Sequence, residues 1–275
     1  MPRDTLCDFI ARMENFESVA RDAVLEAGEE LRRAWRQSKI VHYKGAVNLV
    51  TETDKALEAL IVARLRRAFP DHRIVAEEGS TGTDSFGAGG YVWYLDPLDG
   101  TTNFAHDFPH FAISLGLARN DDLVLGIVHD PIREETFFAR RGGGATRNGE
   151  SIHVSAVDDL DRALLGTGFP YDRREHGEFY LGFVADFMRR AQGIRRTGSA
   201  ALDLCYVACG RLDGMWEWKL SPWDIAAGAC IVREAGGLVS DFVGHPLDLF
   251  GTQTVASNGH IHSALVEVLR RRVAV

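Results

Sequence analysis

The stretch Trp93-Tyr94-Leu95-Asp96-Pro97-Leu98-Asp99-Gly100-Thr101-Thr102-Asn103-Phe104 carries an apolar strand into two carboxylates three residues apart. Pro97 fixes its own φ and donates no backbone hydrogen bond, while Gly100 permits a sharp change of direction. Thr101, Thr102 and Asn103 then offer hydroxyls, an amide and backbone N–H groups. A DxxDG segment by itself is also an ordinary turn, because Asp and Gly abound in turns. Following an apolar strand, it reads as a place to hold a divalent cation and a phosphate.

Upstream of this stretch, Leu6, Phe9, Ile10, Met13, Phe16, Val19, Ala23, Val24, Ala27 and Leu31 recur at helical steps, which predicts one long helix over 5–37. A second helix is expected after Thr53, with Leu57, Leu60, Ile61 and Leu65 inward and Pro70 beyond its end. Short strands are expected at 73–76, 91–95, 111–118, 123–129 and 136–140, and Asn148-Gly149 marks a hairpin. Past residue 158 the pattern alternates. Strands are expected at 163–166, near 194, at 215–218 and near 238 and 255; helices are expected at 175–190, 199–209, 222–235 and from 260. A mainly antiparallel first half and a more parallel second half describe a layered α/β chain. With no repeat or linker, we expect a single domain over 1–275 whose subdomains are 1–158 and 159–275, sharing one core.

The composition narrows the function classes. Of 275 residues, 45% are apolar, which is ample for a core and argues against disorder. A formal charge of −8 argues against direct nucleic-acid binding, which depends on clustered Lys and Arg. Cysteines at 7, 205, 209 and 230 form no CxxC pair, so free thiols in a reducing cytoplasm are expected rather than disulfides or structural zinc. No run approaches the roughly eighteen apolar residues of a membrane span.

Four carboxylates stand out by context: Glu77 after the strand 73–76, Asp96 and Asp99, and Asp224 after Pro222-Trp223. Asp224 falls in a first helical turn, where capping explains it equally well. Four acids meeting in one cleft require cations among them, and an all-oxygen set favours Mg²⁺ or Mn²⁺ over Zn²⁺. Spacing alone does not establish that they meet.

The segment Asp96-Pro97-Leu98-Asp99-Gly100-Thr101-Thr102-Asn103-Phe104 closely resembles the metal-binding signature of the inositol monophosphatase family. Trp223-Asp224-Ile225-Ala226-Ala227-Gly228, followed by Glu234-Ala235-Gly236-Gly237, resembles its second signature. Thr51-Glu52-Thr53-Asp54, Glu77-Glu78, Asp130-Pro131, Phe169-Pro170 and Gly198-Ser199-Ala200-Ala201 match in the same order, so the resemblance covers nearly the whole chain.

The resemblance implies a five-layered αβαβα sandwich of the inositol monophosphatase and fructose-1,6-bisphosphatase type, a homodimer, and a site between the two halves. It assigns one Mg²⁺ to Glu77, Asp96 and the Leu98 carbonyl, a second to Asp96, Asp99 and Asp224, and a third, weaker one to Glu77 through water. Lithium sensitivity comes with it. The implied reaction is phosphomonoester hydrolysis by in-line attack of a metal-activated water. Glu77 and Thr101 position or deprotonate that water, Asp54 is hydrogen-bonded to Thr101, and the N–H groups of Gly100, Thr101 and Thr102 meet the phosphate.

By the same resemblance, Gly198, Ser199, Ala200 and Glu217 line the pocket for the alcohol, with Asp99 also accepting hydroxyl hydrogen bonds. Strand alternation in Met215-Trp216-Glu217-Trp218-Lys219 sets the two Trp opposite Glu217, so Glu217 is expected as an exposed acceptor or as a surface acid on an edge strand. Lys44 matches a lysine-bearing loop of the family or is a solvated charge. Arg195 and Arg196 serve a substrate anion or a subunit contact, or are solvated. His106, His110 and His129 receive no role. Gly166-Thr167-Gly168-Phe169-Pro170 and Trp218-Lys219-Leu220-Ser221-Pro222 look like bacterial members. The expected substrate is a small polyol phosphate, myo-inositol monophosphate first, with histidinol phosphate, fructose 1,6-bisphosphate and nucleotide 3′,5′-bisphosphates as alternatives. A reading of another class is a regulatory protein that keeps the fold and acts through a partner in transcription or RNA processing.

Overall fold

The computed structural model describes residues 6–37, 41–43, 49–79, 90–120 and 122–273. Lys44 lies outside them.

Helix α1 (Leu6–Trp35) has a buried stripe of Met13, Phe16, Ala20, Ala23, Val24, Ala27 and Leu31. Its neighbour α2 (Glu52–Ala68) follows a small antiparallel ribbon, β1 (Val41–Tyr43) and β2 (Leu49–Thr51), which hydropathy did not reveal. Next come β3 (Arg73–Ala76), β4 (Tyr91–Asp99), the short helix α3 (Thr101–Ala105), β5 (Ala112–Arg119), β6 (Asp122–Asp130), β7 (Glu135–Arg140), β8 (Ala145–Arg147) and β9 (Glu150–Ile152). They form a seven-stranded sheet in the order β3-β4-β5-β6-β7-β8-β9. Only the β3–β4 pairing is parallel.

The rest of the chain supplies β10 (Leu164–Thr167), α4 (Arg173–Met188), β11 (Gly193–Arg195), α5 (Ala200–Ala208), β12 (Gly214–Trp218), α6 (Pro222–Glu234), β13 (Leu238–Ser240), β14 (Gln253–Ser257) and α7 (His262–Val273). The second sheet runs β11-β10-β12-β14-β13. Strand β10 is parallel to β11 and β12, whereas β14 is antiparallel to β12 and β13, so this sheet is mixed.

Five layers follow from which faces are apolar. Helices α1 and α2 cover one face of the large sheet, α5 and α6 lie between the sheets, and α4 and α7 close the outer face of the small sheet. Strands β4, β5 and β6 are buried almost throughout, as strands covered on both faces must be. Helix α6 is small and apolar at Ala226, Ala227, Gly228 and Ala229, which lets it sit between two sheets. Among the described residues, Cys205, Cys209 and Cys230 are free thiols, and no helix is long and apolar enough to cross a membrane.

Candidate active site

Residues three apart on a regular strand face opposite sides. In β4, however, Asp96 pairs with Ser114 and Asp99 with Ala112, so three steps of β4 span two of β5. The extra residue is a bulge, and it brings both acids to one cavity. Pro97 sits in the bulge, where a ladder N–H is dispensable. The Leu98 N–H donates to Asp96 Oδ1 at 2.9 Å and fixes that carboxyl. This is why β4 continues to Asp99 instead of ending at Leu95.

Gly100 then takes φ 97°, a left-handed value suited to glycine, and α3 begins at Thr101. Thr101 Oγ1 stands 3.1 Å from Asp54 Oδ1 and 3.0 Å from the Leu98 carbonyl, and its one proton serves one acceptor at a time. Asp54 Oδ2 accepts from the Thr51 N–H at 2.8 Å and from the Thr51 hydroxyl, capping α2. Burial raises the Asp54 pKa despite these bonds. Asp54 thus joins the start of α2 to the start of α3.

Glu77, Asp96, Asp99 and Asp224 all line a cavity of about 600 Å³ between the two sheets. Asp224 lies in the first turn of α6, where its Oδ2 accepts from the Ser221 N–H at 2.7 Å, so capping and cavity lining fall on the same side chain. Burial pushes Asp96 well above the usual carboxylate range, and Glu77, Asp99 and Asp224 push it further. Asp224 is raised in the same way, by burial and then by Asp99. Asp99 rises only to about 6, because the Ser199 hydroxyl and the N–H groups of Ala201 and Ala200 oppose its burial.

Among the described residues, no three His, Cys, Asp or Glu side chains are gathered tightly enough to grip one ion. The donor chemistry nevertheless fits a hard cation: four carboxylates share one cavity, Glu77, Asp99 and Asp224 each raise a neighbour, and the group is neutralised only by protons or by cations.

On the opposite wall, Gly198, Ala200 and Glu217 line the cavity. Ser199 does not. Its hydroxyl, buried, donates to Asp99 Oδ2 at 2.6 Å and accepts from the Leu202 N–H at 3.3 Å as the cap of α5. The Ala201 N–H reaches the same Asp99 oxygen at 2.7 Å. Glu217 corrects an expectation: it is 9% exposed, not a surface acid. Strand β10 closes over it because Gly168, just past the strand, carries no side chain. The alternation does hold, since Trp216 packs on Phe187 and Trp218 on Phe242, at 4.3 and 5.1 Å between ring centres.

Asn103 links the walls: its Nδ2 lies 2.7 Å from the His110 carbonyl, 3.0 Å from that of Thr197 and 3.4 Å from that of Gly198. Both arginines are exposed; Arg196 lines the cavity, whereas Arg195 donates to the Ile194 carbonyl at 3.1 Å. His106, His110 and His129 stay outside the cavity lining. The sequence reading missed Tyr171 and Arg173, which also line it. Tyr171 is 57% exposed, yet its phenol pKa is raised, by crowding and then by Glu77, Asp224, Asp96 and Asp99. The available signal was Gly168-Phe169-Pro170-Tyr171, a turn immediately after a strand end.

The model of the inositol monophosphatase family matches residues 12–274. The inositol-1-monophosphatase of Synechocystis sp. is 45% identical over 94% of this chain and 89% of its own length. The Nus factor SuhB of Pseudomonas aeruginosa is 44% identical over 94% of this chain and 97% of its own. The solved inositol monophosphatase of Anabaena (Nostoc) sp. superposes with a TM-score of 0.85 at 41% identity, covering 94% of this chain and 97% of that one. With two sheets and three helical layers around one acid-lined cavity, the chain belongs to the inositol monophosphatase family and is a phosphoric monoester hydrolase.

Proposed function

We propose that the protein hydrolyses a small polyol monophosphate, myo-inositol monophosphate first, to the polyol and inorganic phosphate. The observation that carries this reading is a single cavity in which Glu77, Asp96, Asp99, Asp224 and the start of α3 face Gly198, Ala200 and Glu217. Glu77, Asp96, Asp99, Asp224 and the Leu98 carbonyl are the proposed holders of two or three Mg²⁺, with Mn²⁺ as a substitute. Bound Mg²⁺ neutralises phosphate oxygens and lowers the pKa of a water.

The protein's own groups then orient and move protons. The Thr101 hydroxyl, 3.1 Å from Asp54 Oδ1, donates to that carboxylate and accepts from the incoming water, and Glu77 accepts the water's other proton. The N–H groups of Gly100, Thr101 and Thr102 face the phosphate, and Glu217, Gly198 and Ala200 take the alcohol, with Asp99 as a further acceptor. We read the chain as one phosphatase domain of halves 1–158 and 159–275, working as a lithium-sensitive cytoplasmic homodimer.

Phosphate release from inositol 1-phosphate, histidinol phosphate, fructose 1,6-bisphosphate and adenosine 3′,5′-bisphosphate tests the reading. Inositol 1-phosphate should turn over best, EDTA should abolish activity and Mg²⁺ restore it. Inositol 1-phosphate among the poorest substrates overturns the substrate, and EDTA-resistant turnover overturns the metals. The relatives named Nus factor favour a second reading, a partner role in transcription beside the chemistry. Capture of a transcription component by both the wild type and a turnover-dead variant is its expected signature.

A further inference from the structure

Beneath the alcohol side of the cavity lies another acid, Asp203 of α5, which is buried and does not line it. Its Oδ1 accepts from the Thr197 hydroxyl at 2.7 Å, and its Oδ2 has no hydrogen-bond partner. Oδ2 stands 3.3 Å from where a Cβ on Gly166 would be, beside Leu212 Cδ1 at 3.0 Å and Met215 Cβ at 3.3 Å, and Glu217 Oε2 stands 2.1 Å from where a Cβ on Gly168 would be. Gly166 and Gly168 are two residues apart and share a face. Thr167 between them turns the other way, and its hydroxyl donates to the Trp216 carbonyl at 3.0 Å. The two missing side chains make a slot along β10: Glu217 fills it at Gly168, and Asp203 reaches it at Gly166 between Leu212 and Met215.

A solvent-free carboxylate oxygen with no donor is costly, and the protonated acid avoids the larger part of that cost, the buried charge. Burial accordingly raises Asp203 to about 8, with Asp99 adding and the Thr197 hydroxyl and Arg196 opposing. Burial also raises Glu217 well above the usual carboxylate range, followed by Asp203, Asp99 and Asp224, against Arg196. The charges facing the pair are therefore Arg196 from the loop before α5, Asp99 from β4 and Asp224 from α6. Glu217 opens on the cavity and Asp203 does not, so Glu217 is the member of the pair that solvent and a substrate hydroxyl can reach as an anion.

We propose that Asp203 is a positioning residue for the substrate alcohol: sharing the glycine slot with Glu217, it holds a proton on Oδ2, leaves the charge to Glu217, and keeps Glu217 an acceptor for a substrate hydroxyl. This rests on the reading of Glu217 as that acceptor. Loss of the proton sets two like charges in one slot, displaces the Glu217 carboxylate and weakens alcohol binding.

The test is the pH profile of KM and kcat for inositol 1-phosphate with saturating Mg²⁺, from about pH 7 to about pH 9.5, where the substrate phosphate stays dianionic. Wild-type KM should rise roughly tenfold across the range, as for one titrating acid, with kcat changing much less. Asp203→Asn cannot ionise and keeps a donor, so its KM profile should be flat. Asp203→Ala should raise KM several-fold at neutral pH, an effect that Asp203→Asn reverses. Superimposable profiles for Asp203→Asn and wild type, or a lower melting midpoint in Asp203→Ala with wild-type KM, overturn the proposal. Glu217→Leu, which keeps the volume and has no acceptor, separates the two levels. If it leaves KM unchanged, the acceptor reading and this inference fall together; if it raises KM while Asp203→Asn behaves as wild type, this inference alone falls.

Discussion

On the wall formed by β4, α3 and the start of α6, backbone devices aim the carboxylates. A bulge turns Asp99 toward Asp96, the Leu98 N–H holds Asp96, the Ser221 N–H holds Asp224, and a capping box holds Asp54. On the facing wall, Glu217 is admitted by a side chain that is absent, at Gly168, and Asp203 packs against Gly166 beside Leu212 and Met215. The first wall concentrates negative charge at a cost in stability, and the second hides it in a slot. If that contrast is right, damage to the first should destroy turnover while sparing the fold, and damage to the second should change what binds.

Asp96→Asn is the largest expected effect. The amide still accepts from the Leu98 N–H but removes a charge at the centre of the acid group, so kcat should fall on the order of 10³-fold. The melting midpoint should not fall, because burial and three neighbouring acids oppose that charge in the fold. The sign follows from proton counts. Unfolded carboxylic acids lose their protons near pH 4. In the fold, Asp99 keeps its proton to about 6 and Asp203 to about 8, with Asp96 and Asp224 also well raised. Burial meanwhile holds His72 and His110 down to about 4 and lowers His129 and His262. Below about 6.5 the histidines offset the acids; above it histidine is neutral in both states and the folded protein binds more protons, so metal-free stability should decline as pH rises from about 6.5 toward 8. Calorimetry should show the midpoint dropping roughly 5 °C or more over that range. Mg²⁺ should recover more of it at the alkaline end, and Asp96→Asn should flatten the slope. A metal-free midpoint that climbs with pH over the same range would contradict the picture of the acid wall.

Gly168→Ala attacks the facing wall. The new Cβ would stand 2.1 Å from Glu217 Oε2, so the carboxylate must move. KM for the polyol phosphate should rise ~10-fold, the scale of a 1–3 kcal/mol packing clash, with Mg²⁺ dependence and kcat largely kept. Equal loss of kcat and kcat/KM would show that the two walls do not divide the work in this way.

The same contrast explains what was legible in the sequence. Asp96, Asp99, Thr101 and Asp224 announced themselves because each follows the expected end of a strand or opens a helix, and such places have residue signatures such as Pro97, Gly100 and Pro222. The apolar runs at 91–95, 111–118 and 123–129 likewise marked β4, β5 and β6 as strands, and the structure covers them on both faces. Glu217 was misread as exposed because its burial depends on β10, about fifty residues away in sequence, and on an atom that glycine lacks. Asp203 gave no signal at all, as an acid on one turn of an apolar helix. The β1–β2 ribbon escaped because three-residue strands are too short for a period to show.

Asn103→Ala should have the smallest effect, and it tests whether the walls are coupled. Asn103 belongs to the acid wall's own motif, yet its amide points at the Thr197 and Gly198 carbonyls as well as that of His110. The amide has two hydrogens, so it shares them among three carbonyls of two loops. Its removal leaves part-buried carbonyls short of a donor, which costs about 1–3 kcal/mol and should lower the melting midpoint by several degrees. Gly198 follows Thr197, whose hydroxyl holds Asp203, and precedes Ser199, whose hydroxyl holds Asp99. A loosened Gly198 therefore relaxes both acids on the alcohol side, and KM should rise a few-fold while kcat stays within about twofold of wild type. A lower midpoint with unchanged KM would mean that the seam serves the fold alone and that the two walls hold their positions independently.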